Sequence, residues 1–216
     1  MNPMILILIT FLCMVSRIMF AGRYLAGWDG VDFALALHDY DLTLYQPHFP
    51  GYIVYIGLCR IVLLLANNDV QALVLPNVIF GSLTIIPLYF LTVSMFSKKV
   101  AILTILLYMV NPLCWLQSES PMPDTTGLFF IILSIQLLYF SLNKIDNQKI
   151  YLAAGSFVMG IALGTKLTFF PFIFAFSFIL WQIFRNSTSN QLISDKKAGV
   201  ENLLYSIGSL TVSVSV

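Results

Sequence analysis

Four aspartates, two histidines and a Pro-His-Phe-Pro-Gly run fall between Trp28 and Gly51, in a chain that is otherwise lipid-like. Carboxylates placed beside a bilayer are expensive unless used, so this concentration of polar side chains reads as a site. Asp29 and Asp32 are three apart. On a helix opening after Gly27-Trp28 they share one face, while Phe33, Leu35 and Leu37 offer apolar contact at a membrane boundary. His48 lies where Pro50 restricts Phe49 to extended geometry and Gly51 lets the backbone approach a neighbour closely, so the imidazole is presented rigidly. Glu119 and Asp124 flank Pro121 and Pro123 in a short stiff loop, and either could approach Asp29. Lys166 follows Gly164-Thr165 at the end of an apolar run, where a bare ammonium calls for an anion. Arg60 poses the same question within residues 51–66. Each has a plainer reading beside it: solvated aspartates, a proline-started helix at His48, acidic residues that only face water, and basic residues that snorkel to the interface. Arg17 reads as one of the last kind.

The elements that must hold these side chains follow from composition. The chain has 216 residues, is 59% hydrophobic and 10% charged, and has a mean hydropathy of +0.89. That places it in the membrane class. Apolar runs near 4–21, 71–96, 100–117, 125–142, 151–166 and 167–184, and one from 202 that the chain end cuts, predict about seven spans, hence an all-α polytopic transmembrane bundle. The first run lacks a basic residue before it, so it reads as an uncleaved span rather than a signal peptide. Cys13, Cys59 and Cys114 are odd in number and sit in apolar sequence without a C-x-x-C or histidine partner, which argues against a disulfide or a metal site. A net charge of +1 without a basic tail gives no reason to expect nucleic acid.

Segment 51–66 is short, is interrupted by Arg60 and follows Pro50, so it reads as a helix along the interface. If it does not cross, Lys98, Lys99, Lys144, Lys149, Arg185, Lys196 and Lys197 fall on the cytoplasmic side, seven of the eleven basic residues. The loop 22–70 and the loop 118–124 then share the opposite face, and their acidic groups can form one site. Asn186-Ser187-Thr188 matches a glycosylation pattern that a cytoplasmic position would leave meaningless. The chain reads as a single module over 1–216, truncated within its last span.

The runs Asp29-Gly-Val-Asp-Phe-Ala-Leu-Ala-Leu, Tyr40-Asp-Leu and Gln46-Pro-His-Phe-Pro-Gly-Tyr-Ile-Val-Tyr55 resemble the GT-C superfamily of polyprenol-dependent glycosyltransferases. They are most similar to its protein O-mannosyltransferase and aminoarabinose-transferase branch, with weaker likeness at Leu75-Pro76-Asn77, Ser118 to Asp124 and Gly164-Thr165-Lys166. Phe49, Gly30 and Val74 depart from the family pattern. The resemblance implies seven spans with juxtamembrane helices in the first outer loop. It also implies inverting transfer of a sugar from a polyprenyl-phosphate donor to a glycan, lipid or protein acceptor. By the same resemblance Asp29 is the catalytic base with Asp32 beside it, and His48, Glu119 and Asp124 contact acceptor or donor. The leaving phosphate needs positive charge, which gives Lys166 and Arg60 their role. No cofactor or divalent metal is expected. The expected location is the plasma (inner) membrane, multi-pass, with the site facing outside. A transporter or lipid flippase is the rival, with breaks at Pro87, Pro112 and Pro171, and an inactive fragment is a third reading.

Overall fold

The computed structural model describes residues 2–25, 27–66, 68–143, 147–190 and 196–214, with side chains omitted at 186–190, 196–201, 211, 212 and 214. Lys144 and the chain end at 215–216 lie outside the described residues, as do the side chains of Asn186, Lys196 and Lys197. Among the described residues the chain is helical, and the one β-type pairing is a bridge between Asp41 and Gln46.

Helix α1 spans Pro3–Met19. The Asn2 side chain accepts from the Met4 amide at 3.0 Å, and Pro3 occupies a first-turn position that needs no donor. Helix α2 (Gly27–His38) and a 3-10 turn (Leu42–Leu44) lead to α3 (Ile53–Ala66). At about 1.5 Å per residue α3 is about 21 Å long, well short of the ~30 Å hydrocarbon core, as the interfacial reading of 51–66 requires. Helices α4 (Asp69–Leu83) and α5 (Ile85–Met95) form one continuous rod of 27 residues. Asn68 caps its start, accepting from the Gln71 amide at 3.0 Å.

Helices α6 (Lys98–Val110) and α7 (Pro112–Ser118) meet at a bend of 57°. Pro112 supplies no donor and forces Asn111 into extended backbone, and the Asn111 side chain then caps α7. After the Ser120–Pro123 turn come α8 (Asp124–Asn143) and α9 (Gln148–Thr165). A 3-10 turn (Leu167–Phe169) leads to α10 (Phe172–Asn190) and α11 (Lys196–Val214).

The predicted runs therefore all appear as helix. Seven spans are not confirmed by length and apolarity among the described residues. Asp69–Met95 and Asp124–Asn143 qualify among the described residues, and the bent α6–α7 pair makes a third if it counts as one span.

Contacts group the chain into two units, 1–129 with 164–167, and 130–163 with 168–216. In the first, Phe33, Leu37, Tyr55, Ile56, Cys59 and Leu73 form one buried cluster joining α2, α3 and α4. A second cluster, with Leu6, Cys13, Ile85, Tyr89, Ile105 and Tyr108, joins α1, α5 and α6. In the second unit Ser134 donates to the Gly155 carbonyl at 2.8 Å, and a largely apolar cavity of about 360 Å³ is lined by Leu152, Trp181, Phe184 and Asn202. The three cysteines are free, with Cys13 and Cys59 fully buried, in keeping with small apolar roles.

Candidate active site

Asp29 lies in the first turn of α2, where a carboxylate is favoured by the helix dipole, and Asp32 follows one turn later. Gly30 faces inward and sits 3.4 Å, measured from where a Cβ would stand, from Pro121 of the second acidic loop. The amphipathic pattern of α2 thus buries Phe33 and Leu37 and leaves Asp29 exposed and Asp32 half-buried. Trp28 and Tyr24 stand exposed at its entry, 86% and 82%, as interfacial aromatics do.

After α2 the chain closes a small loop. Asp41 and Gln46 exchange backbone hydrogen bonds of 2.7 and 2.9 Å, and the Asp41 carboxylate accepts from the Thr43 hydroxyl and amide. Those bonds hold the Asp41 carboxyl below the usual carboxylate range. The Gln46–Pro47 and Phe49–Pro50 peptides are cis. Gly51 has φ +102° and its carbonyl accepts from the Tyr40 hydroxyl at 2.9 Å. A Cβ there would stand 2.6 Å from that hydroxyl oxygen, so both backbone angle and space demand glycine. Tyr52, also left-handed at φ +50°, then opens α3.

This fold-back delivers His48 to α2. Its Nδ1 lies 3.4 Å from Asp32 Oδ2 and its Nε2 shares a 3.0 Å hydrogen bond with the Tyr52 hydroxyl. Phe33 packs against both rings, at 5.5 Å from His48 and 5.0 Å from Tyr52. Asp29, Asp32 and His48 each offer one ligand atom, and these atoms lie within 4.8 Å of one another, a donor set that a divalent cation can use. Burial raises the Tyr52 phenol, and the charges of Asp29 and Asp124 raise it further. One hydroxyl therefore feels carboxylates from both acidic loops.

Asp124 starts α8 and accepts from Lys166 Nζ at 2.5 Å. Both ends of this pair are partly exposed. The loop that carries Asp124 is tied down by Asn77 of α4, which is fully buried. Asn77 donates to the Ser120 carbonyl at 3.0 Å and accepts from the Thr126 hydroxyl at 2.7 Å and amide at 3.2 Å.

Of the seven residues expected to form the site, Asp29, Asp32 and His48 cluster directly, while Asp124 pairs with Lys166 and acts with Asp29 on the Tyr52 hydroxyl. Arg60 is engaged elsewhere: its Nη2 donates to the Ala36 carbonyl at 2.8 Å and its charge acts on Tyr40. Glu119 is outside the Asp29–Asp32–His48 group, and the Arg17 charge acts on its carboxyl. The snorkelling reading of Arg17 is corrected, because its side chain is 0% exposed among α1, α4 and α6.

Residues 50–198, more than half of the chain, match the dolichyl-phosphate-mannose-protein mannosyltransferase family. The chain belongs to that family. No curated protein and no solved structure matches it. The family match begins at Pro50, so it takes in Arg60, Glu119, Asp124 and Lys166, whereas Asp29, Asp32 and His48 precede it. Membership of the mannosyltransferase family and the apolar helices make this an integral membrane glycosyltransferase of the polyprenyl-phosphate type.

Sequence reasoning passed over Tyr52 and Asn77 as individual side chains. Tyr52 stands four residues after His48, a spacing that could have suggested the contact. Asn77 carried a signal too, as an amide next to a proline inside an apolar run.

Proposed function

We propose that this glycosyltransferase moves a sugar, mannose by the family's name, from a polyprenyl-phosphate carrier to an acceptor hydroxyl on the outer face of the plasma membrane. The observation that carries this reading is the approach of the two acidic loops, with Gly30 of α2 3.4 Å, measured from where a Cβ would stand, from Pro121, and the Tyr52 hydroxyl within the influence of both Asp29 and Asp124, because it supports one reaction centre built from the two. Asp29, exposed and in the first turn of α2, takes the proton of the acceptor hydroxyl as its oxygen attacks the anomeric carbon. The bond from that carbon to the phosphate oxygen breaks with inversion, and the polyprenyl phosphate leaves with the electron pair. Asp32 and His48 hold the acceptor end. Asp124 and Lys166 sit toward the donor, with the Lys166 ammonium offsetting the phosphate charge.

Membranes containing the full chain, incubated with radiolabelled polyprenyl-phosphate mannose, should transfer label to an acceptor. Asp29→Asn should lower that transfer by about 10²–10⁴-fold while expression and folding persist. Full transfer by D29N removes Asp29 from the mechanism, and movement of labelled lipid across the bilayer without transfer replaces the enzyme with a flippase. The reaction as proposed runs on side chains alone, so washing with EDTA should leave the rate unchanged. Loss on washing, restored by Mn²⁺, would instead put a cation on Asp29, Asp32 and His48.

A further inference from the structure

Arg17 is the one charged residue of α1 and its side chain is fully buried. Its Nη1 donates to the Cys13 sulfur at 2.8 Å and reaches the Ser82 hydroxyl at 3.5 Å, and its guanidinium lies 5.2 Å from the centre of the Tyr108 ring. These partners are neutral, and Nε and Nη2 make no hydrogen bond at all. A buried guanidinium so poorly served requires an anion in its field.

Glu119 is a carboxylate on which the Arg17 charge acts. Glu119 Oε1 is buried and equally without a hydrogen-bond partner. The main chain just beyond α1 also meets Glu119. The Gly22 amide, just beyond α1, donates to the Glu119 carbonyl at 3.0 Å, and a Cβ on Gly22 would stand 2.6 Å from that oxygen.

We infer that Arg17 is a positioning residue: its buried charge holds the Glu119 carboxylate and so fixes the 118–124 turn that presents Asp124 to Lys166. The effect on transfer rests on the proposed function; the pair itself does not. Burial raises the Glu119 carboxyl and Arg17 opposes that rise. The sign follows. Attraction by Arg17 stabilises the fold while Glu119 is ionised and is lost as pH falls and the carboxyl takes a proton. The other titratable groups facing Arg17 are Cys13 of α1, Tyr108 of α6 and Cys114 of α7, types that ordinarily ionise above about pH 8 and stay neutral across the acid range.

The test is the apparent Tm of the full chain in detergent for wild type, R17M, E119Q and the double variant, at about pH 7.5 and about pH 4.5. R17M should lose more at the higher pH, and adding E119Q should recover about 3 °C or more there and nothing at the lower pH. Losses that simply add at both pH values overturn the pairing. R17Q replaces R17M if the latter does not accumulate. In the transfer assay R17M should raise the KM for the lipid donor about tenfold and R17K should restore it. An unchanged donor KM reduces Arg17 to packing and overturns the positioning role. Thermal coupling in a chain that transfers nothing leaves the pair standing and removes the glycosyltransferase reading alone.

Discussion

Lys166 and Asp124 form a short ion pair with both ends partly exposed, so neither can be changed without altering the other. Exposed pairs contribute little to stability, which makes a functional readout the informative one. Lys166→Ala should raise the apparent KM for the lipid donor more than that for the acceptor, measured by initial rates of label transfer. Asp124→Asn should leave the ammonium without its carboxylate and lower transfer less in D124N/K166A than the product of the single effects, because the two share one interaction. At this scale residue type and local spacing brought Asp29, Asp32, His48, Asp124 and Lys166 forward as candidates, and the structure groups the first three and pairs the last two. Type and spacing were not enough for Arg17. One arginine near the end of an apolar run has the same local sequence whether it reaches water or turns inward, and only the neighbours from α4 and α6 decide.

Helix α4 is the element on which the second acidic loop rests. Asn77 satisfies the Ser120 carbonyl and the Thr126 hydroxyl at once, and Gly81 leaves room for α7 and α8 to approach. Asn77→Ala should orphan those buried groups and cost about 1–3 kcal/mol, seen as a lower apparent Tm in detergent. Gly81→Ala would place a Cβ 2.5 Å from Thr125 Cγ2 and 2.7 Å from Ser118 Oγ. Overpacking of that kind costs about 1–3 kcal/mol and should lower transfer as Asp124 is displaced. Helix positions were legible because apolar runs and caps are local features. The 57° bend at Asn111 was legible in Pro112, while the use of Asn77 as a tie between α4, the 118–124 loop and α8 depends on registers that no single run encodes.

For the whole chain, the side on which each loop lies follows from whether α3 crosses. Its 14 residues favour a helix that does not, and cysteine labelling checks it. A reporter cysteine at Ser97 should be shielded from an impermeant reagent added outside, and one at Ser120 should react. The opposite pattern separates the two acidic loops and ends the shared-site reading. The sequence by itself determined the all-α membrane class, the place of each helix and the residues capable of chemistry, since hydropathy, capping and residue type act over a few positions. Only the tertiary structure decided that His48 folds back onto Asp32, that Tyr52 comes under the influence of both Asp29 and Asp124, and that Arg17 is buried. Those outcomes depend on which surfaces pack together across more than thirty positions of chain in the case of Ser120 and Asn77, and packing geometry is not written in any local pattern.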